Sequence, residues 1–553
     1  MKKIYILLLI LILIIGFYFR FYKSDLFPGL HTEEATTIDI IDNYDYYNNK
    51  PEVLPNYVSA FLYFKIIKLF WINIVDYSLV NFRLIYNFLY IFTGIIFFIF
   101  INKFQTINNS IITIFVFSFI TVYLAWTRVS CVMYPFIIFT YLILLNIFFR
   151  NNRLKKILSL LLIIFLISVH FLGILYVIPL ILFVVYKKKK YIYPYMLNKK
   201  ILLIGSIVLI FFITVFYFLF LNLNIFVKMQ PSVNRYFFGL ARYIFVVVET
   251  INGNLVCRHF SGFYLNPTIS FLVSAIVLIY IFYIYFVKLK NKTDLDYLSL
   301  ITFFSIVILA PFLKEVFQNQ GSFNHIFTHR YLIIISVPFS IILGRVIGYL
   351  LFSKKNLYVL FSIILLIYYP FIFIYNYIIP FEKYGGKFKT SSGYSWNLQS
   401  TLIRNDYGEV QFLISNEGQP LEIALKKIIK DNELKKIILD DFYMSNIIEF
   451  YSKIHKVNYP IYKLPNPPKS QLTTNFSIET LINSNINIDE VTLYIFSYNK
   501  TNYHFSSFLN LNFDETMLLT PYFIVLKKDG SELLNVYKIK LSKLIYKNLL
   551  LKK

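Results

Sequence analysis

Cysteine is nearly missing from the sequence, which contains only Cys131 and Cys257 in 553 residues. Two cysteines cannot build a disulfide framework or a cysteine-based metal site. Both fall near the same predicted membrane face, so one bridge could join them, although two free thiols are the simpler expectation.

Charge is also scarce: 15% of the residues are charged, 58% are hydrophobic and the mean hydropathy is +0.63. A chain with so little polar surface cannot cover its core in water, so the composition indicates a polytopic membrane protein. Acidic residues number 29 against 54 basic ones, which gives a net charge of +25. Because the basic residues gather in short runs between apolar segments, they indicate cytoplasmic loops and argue against a nucleic-acid partner.

The sequence predicts about eleven membrane spans, each near the roughly 20 residues that a bilayer requires. The first, residues 2–19, follows Lys2-Lys3 and lacks a small-residue cleavage site, so we expect a retained span with a cytoplasmic N-terminus. The chain should then end on the extracytoplasmic face. The other spans are predicted at residues 82–101, 109–125, 132–149, 156–169, 171–186, 201–221, 267–287, 296–313, 331–351 and 357–378.

The chain divides into an all-α transmembrane domain, residues 1–380, and a soluble extracytoplasmic α/β domain, residues 381–553. The first outer loop, residues 20–81, contains amphipathic stretches at 36–47 and 58–71 that should lie along the membrane surface. In the second domain the pattern predicts strands at 410–415, 436–440, 491–497 and 522–526, helices at 421–430 and 443–454, and a hairpin turn at Asp529-Gly530.

Two adjacent carboxylates, Glu33 and Glu34, stand in the stretch Pro28 to Ala35 directly after the first span. Further signals follow at the ends of later spans: Asn81-Phe82-Arg83-Leu84, Thr127-Arg128, Ser168-Val169-His170 and His329-Arg330-Tyr331-Leu332. In their order and spacing over residues 1–380, these motifs resemble the C-superfamily (GT-C) glycosyltransferases. Within that superfamily the chain is most similar to the protein O-mannosyltransferases and the lipid A aminoarabinose transferases.

The resemblance implies that Glu33 is the catalytic base, which accepts a proton from the acceptor hydroxyl or amine. Glu34 is then its positioning partner, or the base itself if Glu33 does not fill that role. The family usually carries Asp where Glu33 stands. A Glu side chain reaches one methylene further, so the acceptor must bind differently or the backbone must lie further back. Read without the resemblance, the two carboxylates could simply cap a helix that begins near Thr32.

The donor implied by the resemblance is a polyprenyl-phosphate sugar, whose phosphate gains negative charge as it leaves and suits guanidinium groups. The predicted phosphate-binding residues are Arg330, Arg128, Arg83, Arg258 and Lys65. The predicted substrate-pocket residues are His170, His329 and Tyr331. Each basic residue could instead be an interfacial anchor to lipid head groups. No residue is assigned to a metal; a divalent ion is left open and is not required.

These observations predict a multi-pass membrane glycosyltransferase that transfers a sugar to a lipid, glycan or protein acceptor of the cell envelope. Inversion at the anomeric carbon is implied by the resemblance alone. Two alternatives stay open. A lipid-linked glycan polymerase or flippase would not need a carboxylate-bearing first loop, and a flippase should carry charges inside its spans. A non-catalytic membrane scaffold is favoured only by the Glu that replaces the family Asp.

Overall fold

The computed structural model describes residues 2–24, 32–43, 45, 65–69, 77–128, 134–149, 153–169, 171–196, 247–248, 251, 267–318, 329–374, 378, 418–440, 445–463, 488–497, 521–526 and 532–540. Several sequence predictions lie outside these residues: the span at 201–221, the strand at 410–415, the turn at Asp529-Gly530 and both cysteines.

Long apolar runs fold as helices because a helix satisfies its own backbone N–H and C=O groups where water is absent. Side-chain caps begin two of them: the Ser78 hydroxyl accepts from the Asn81 N–H, and the Thr106 hydroxyl from the Asn109 N–H. The helices up to residue 373 are α1 (Lys2–Phe21), α2 (Thr32–Asp42), α3 (Leu79–Ile101), α4 (Ile107–Phe119), α5 (Thr121–Arg128), α6 (Tyr134–Phe148), α7 (Arg153–Val169), α8 (Ile174–Met196), α9 (Pro267–Tyr283), α10 (Asp294–Gln318), α11 (Ser336–Leu351) and α12 (Asn356–Phe373).

Four helices in the described part of the chain are long and apolar enough to cross a membrane: Lys3–Phe21, Leu79–Ile101, Leu332–Leu351 and Asn356–Phe373. Together, α4 and α5 would form a fifth crossing, bent by 54°. The sequence predicted one continuous span here, but Ile120 leaves the helical conformation, with a ψ of 122°. The protein is thus mostly helical, as expected of a polytopic membrane protein. The total of eleven spans stays a prediction.

Two glycines allow α11 to pack closely on α4. A Cβ atom at Gly344 would collide with the side chain and Cα of Thr113, and one at Gly348 would collide with the side chain of Asn109. Gly344 and Gly348 are four residues apart and so lie on one face of α11, the small-residue spacing that lets two membrane helices approach. This contact fixes α4, and through it α5, within the helical bundle.

The amphipathic helix of the first loop begins at Thr32, the start given by the reading in which Glu33 and Glu34 cap a helix, and four residues before the amphipathic stretch predicted from residue 36. Glu34 and Asp39 are buried on it together with its apolar residues. A helix exposed on the membrane surface would keep such carboxylates in water. Helix α2 is instead covered by a helix from the C-terminal region, α14 (Ser445–Ile454).

A five-stranded mixed sheet lies in the C-terminal region, with the strand order β2-β1-β3-β5-β4. Strand β1 pairs in parallel with β2 and β3, whereas β5 pairs antiparallel with β3 and β4. Three predicted strands and both predicted helices are present, while β2 and β5 were not predicted. The elements are α13 (Gly418–Lys430), β1 (Lys435–Asp440), α14 (Ser445–Ile454), β2 (Ile461–Lys463), β3 (Val491–Ser497), β4 (Phe523–Leu526) and β5 (Glu532–Lys540).

Candidate functional site

The two carboxylates singled out in the sequence lie in the first turn of α2, directly after Thr32. An acidic residue in this position interacts favourably with the positive end of the helix dipole. The Glu34 side chain is fully buried. Glu33 is one residue earlier, which corresponds to about 100° of rotation around the helix axis; its side chain lies outside the described part of the structure.

Arg83, near the start of α3, binds both carboxylate oxygens of Glu34. Its Nε lies 2.9 Å from Oε1 and its Nη2 lies 2.6 Å from Oε2, while Nη1 donates to the Ser24 carbonyl at 2.7 Å. Both side chains are fully buried. A buried ion pair is tolerated when its geometry is bidentate and its remaining donors are satisfied, as they are here. The pair ties the first turn of α2 to α3 and to the turn that follows α1.

A second buried arginine, Arg128 at the end of α5, binds the C-terminal end of α1. Its Nη2 donates to the Tyr22 carbonyl at 2.6 Å, and its Nη1 donates to the Phe19 carbonyl. The last carbonyls of a helix have no partner within the helix and carry its negative dipole end, so a guanidinium group is well placed there. Sequence reasoning selected Arg128 as a phosphate ligand; its described contacts anchor α1.

Sequence reasoning missed a third buried arginine, Arg20, because a charged residue at the end of an apolar run normally marks the membrane interface. Its side chain is fully buried inside the protein. It donates to the Thr127 hydroxyl at 2.7 Å, to the Gly16 carbonyl at 2.9 Å and to the Ser118 carbonyl at 3.1 Å. The guanidinium group also stacks on Tyr90, 3.6 Å from the ring centroid. Among the described residues, no carboxylate contacts it.

Three guanidinium groups and one carboxylate therefore meet around the C-terminal end of α1. Arg20 belongs to its last turn, and Arg83 and Arg128 hold carbonyls of the same turn and of the residues just after it. Among the described residues of this cluster the guanidinium groups outnumber the carboxylates, and buried positive charge of this kind favours an anion.

No family model and no curated protein sequence matches this chain. The fold is similar to that of ArnT from Cupriavidus metallidurans, a lipid A aminoarabinose transferase whose crystal structure has undecaprenyl phosphate bound. The similarity covers 95% of this chain and 97% of that one, with a TM-score of 0.46 and 10% sequence identity. Since only one aligned residue in ten is identical to ArnT, residue roles must be argued from this chain's own contacts.

Arg330, His329 and Tyr331 lie in a 3-10 helix, His329–Ile335, that packs against α5. This 3-10 helix thus lies against the helix that carries Arg128. The side chains of Arg330, His329 and Tyr331 lie outside the described part, so their predicted roles stay predictions. Lys65 is exposed on the short helix at 65–69. Its neighbour Lys68 pairs with Asp45 at 3.2 Å. Arg258 and His170 are outside the described residues.

The described residues contain no group of three or more His, Cys, Asp or Glu side chains that could hold a metal ion.

Proposed function

We propose that the protein is a membrane glycosyltransferase that moves a sugar from a polyprenyl-phosphate donor to an acceptor of the cell envelope. The observation that carries the proposal is the bidentate Arg83–Glu34 pair. It fixes the first turn of α2, and with it the backbone of Glu33, beside the arginine-rich end of α1. A proton acceptor and an anion site are the two parts that the reaction needs.

In this mechanism the Glu33 carboxylate accepts the proton of the acceptor hydroxyl or amine as that atom attacks the anomeric carbon. The bond to the lipid phosphate breaks on the opposite face, so the anomeric centre inverts in one step. Glu34 takes no proton, because its carboxylate is committed to Arg83. Its task is to position α2.

The leaving phosphate gains negative charge as the sugar departs, and cationic groups lower the barrier by stabilising that charge. We assign Arg330 as the direct phosphate ligand, because its turn packs on α5. Arg20, Arg83 and Arg128 already hold carbonyl or hydroxyl oxygens. Their role is to supply a positive field at the site. The reaction is placed on the extracytoplasmic face, with a cytoplasmic N-terminus and the C-terminal domain outside.

The experiment that tests this function uses the purified full chain in lipid nanodiscs with a panel of radiolabelled polyprenyl-phosphate sugars and total envelope extract. We expect wild type to transfer label, Glu33→Gln to bind donor without transferring it, and Glu33→Asp to retain measurable transfer, since Asp is the usual family residue. Transfer by Glu33→Gln at the wild-type rate would overturn the assignment of the base. A wild type that transfers from no donor would overturn the function.

A further inference from the structure

The C-terminal region contacts the first outer loop through two helices that are far apart in sequence. Helix α14 packs on α2, and the Lys453 ammonium group lies 3.2 Å from Oδ2 of Asp42. The two residues are 411 positions apart. Lys453 also lies 3.8 Å from Glu449, one turn earlier on its own helix.

The same helix also contacts the end of the first outer loop. The Tyr77 ring, just before α3, lies 5.3 Å from the Phe450 ring of α14. Helix α14 therefore contacts the loop on both sides of its long central segment, where the chain leaves α2 and where it enters α3.

The same turn of α14 carries Tyr451, which is buried, and burial raises the pKa of its hydroxyl. Glu422 raises that pKa further, while the opposite charges of Arg83 and Glu34 act on the hydroxyl in opposite directions. One turn of α14 thus carries both a buried tyrosine and Lys453, which pairs with Asp42 of α2.

From these contacts we infer that α14 is a positioning element of the transfer site and that Lys453 is its positioning residue. The inference rests on the proposed function. The C-terminal domain holds α2, and so the backbone of Glu33, at the distance from the donor that the reaction requires. A recognition module on a flexible tether would not need an ion pair and a tyrosine contact with the catalytic loop.

The effect should lie in catalysis more than in stability. Lys453 is partly exposed, and ion pairs of this kind contribute little to folding. A catalytic group displaced by about 1 Å, by contrast, can lose a hundredfold in rate. Loosening of α2 should therefore lower kcat while the donor, which binds to other residues, keeps its affinity.

The test is charge reversal in the full chain, with kcat, donor affinity and hydrogen exchange of residues 32–42 as readouts. Lys453→Glu should lower kcat at least about tenfold, leave donor affinity unchanged and speed exchange in α2. Lys453→Arg should keep activity, and Asp42→Lys combined with Lys453→Glu should restore it. The matched control is Lys426→Glu, which breaks the Lys426–Glu422 pair within α13 in the same region.

A Lys453→Glu variant with wild-type kcat and wild-type protection of α2 overturns the inference. So does a kcat loss that Lys426→Glu reproduces in full, because it would reflect general damage to the C-terminal region. A wild-type chain that transfers nothing overturns the proposed function instead, and hydrogen exchange then tests the docking of α14 without reference to catalysis.

Discussion

Arg83 holds both carboxylate oxygens of Glu34 across 49 positions of sequence, and neither side chain is exposed to solvent. A charge pair in this setting depends on both members. The ion pair joins the beginning of α2 to α3. It therefore fixes the position of the first part of the loop between α1 and α3.

Removing one member of this pair should destabilise the protein far more than replacing both members with apolar residues. Arg83→Met or Glu34→Gln alone leaves one charge buried without its partner, which typically destabilises by about 3–5 kcal/mol. The double variant Arg83→Met with Glu34→Met should be less destabilised than either single one. Thermal unfolding in one detergent measures the three variants side by side. A double variant as unstable as the sum of the two single ones would contradict a coupled pair.

Arg20 offers a test of the positive field around the end of α1. Among the described residues, no carboxylate contacts the Arg20 guanidinium group. Arg20→Met removes this positive charge, so the affinity for the donor phosphate should fall about tenfold. Arg345→Met is the matched control, because it breaks a separate buried pair with Asp296, whose carboxylate lies 3.2 Å from Arg345. It should lower stability and leave donor affinity unchanged. Calorimetric titration with the polyprenyl phosphate measures the affinity of each variant. Equal losses of affinity in Arg20→Met and Arg345→Met would contradict a local role for Arg20.

Docking of α14 should weaken as the pH rises. Burial raises the pKa of Glu449 above its ordinary 4.5, and the carboxylates of Asp39 and Asp42 on α2 raise it further, while Lys453 lowers it. Tyr77 also faces this cluster from the loop, and burial raises the pKa of its hydroxyl well above the range concerned. Because docked Glu449 retains its proton at a higher pH than free Glu449, its contribution is complete below pH 4.5 and is lost as the pH rises through the raised pKa.

Glu449→Gln removes that titration, so the variant should keep α2 equally protected at about pH 4 and about pH 8, whereas wild type should exchange faster at the higher pH after correction for the intrinsic exchange rate. Hydrogen exchange of residues 32–42 is the measurement. Wild type and Glu449→Gln with the same corrected pH dependence would exclude Glu449 as its source. The Lys453 charge cannot produce the effect, because its pKa is raised from 10.5 and it stays protonated throughout.

Much of the local structure was predictable. Strands β1 and β3 are compact runs rich in β-branched and aromatic residues, and their positions were predicted to within a residue. Strand β2 has only three residues, which are too few to show the alternation of apolar and polar residues that marks a strand. Strand β5 was missed because Asn535 and Lys538 interrupt its apolar pattern. The break at Ile120 leaves no signal, because the apolar residues continue through it.

The contacts around α1 and α2 were not predictable from the sequence. Arg20 was not selected at all. Glu34 and Arg83 were both selected, yet their pairing was missed because no pattern in the sequence connects two charges 49 positions apart. The burial of α2 was missed for the same reason. Its covering helix, α14, was predicted as a helix, but a surface position for α2 was inferred from the composition of α2 alone.

The separation of 411 positions between Asp42 and Lys453 also has a consequence for biosynthesis. At about 5–20 residues per second, the ribosome completes α14 roughly 20–80 s after α2. During that interval the later apolar helices are inserted into the membrane, while the acidic side of α2 has no covering helix. A nascent chain that stops before residue 445 thus carries both carboxylates of the loop and lacks the helix that holds them in place. The covering of α2 by α14 is therefore among the last steps in the maturation of this protein.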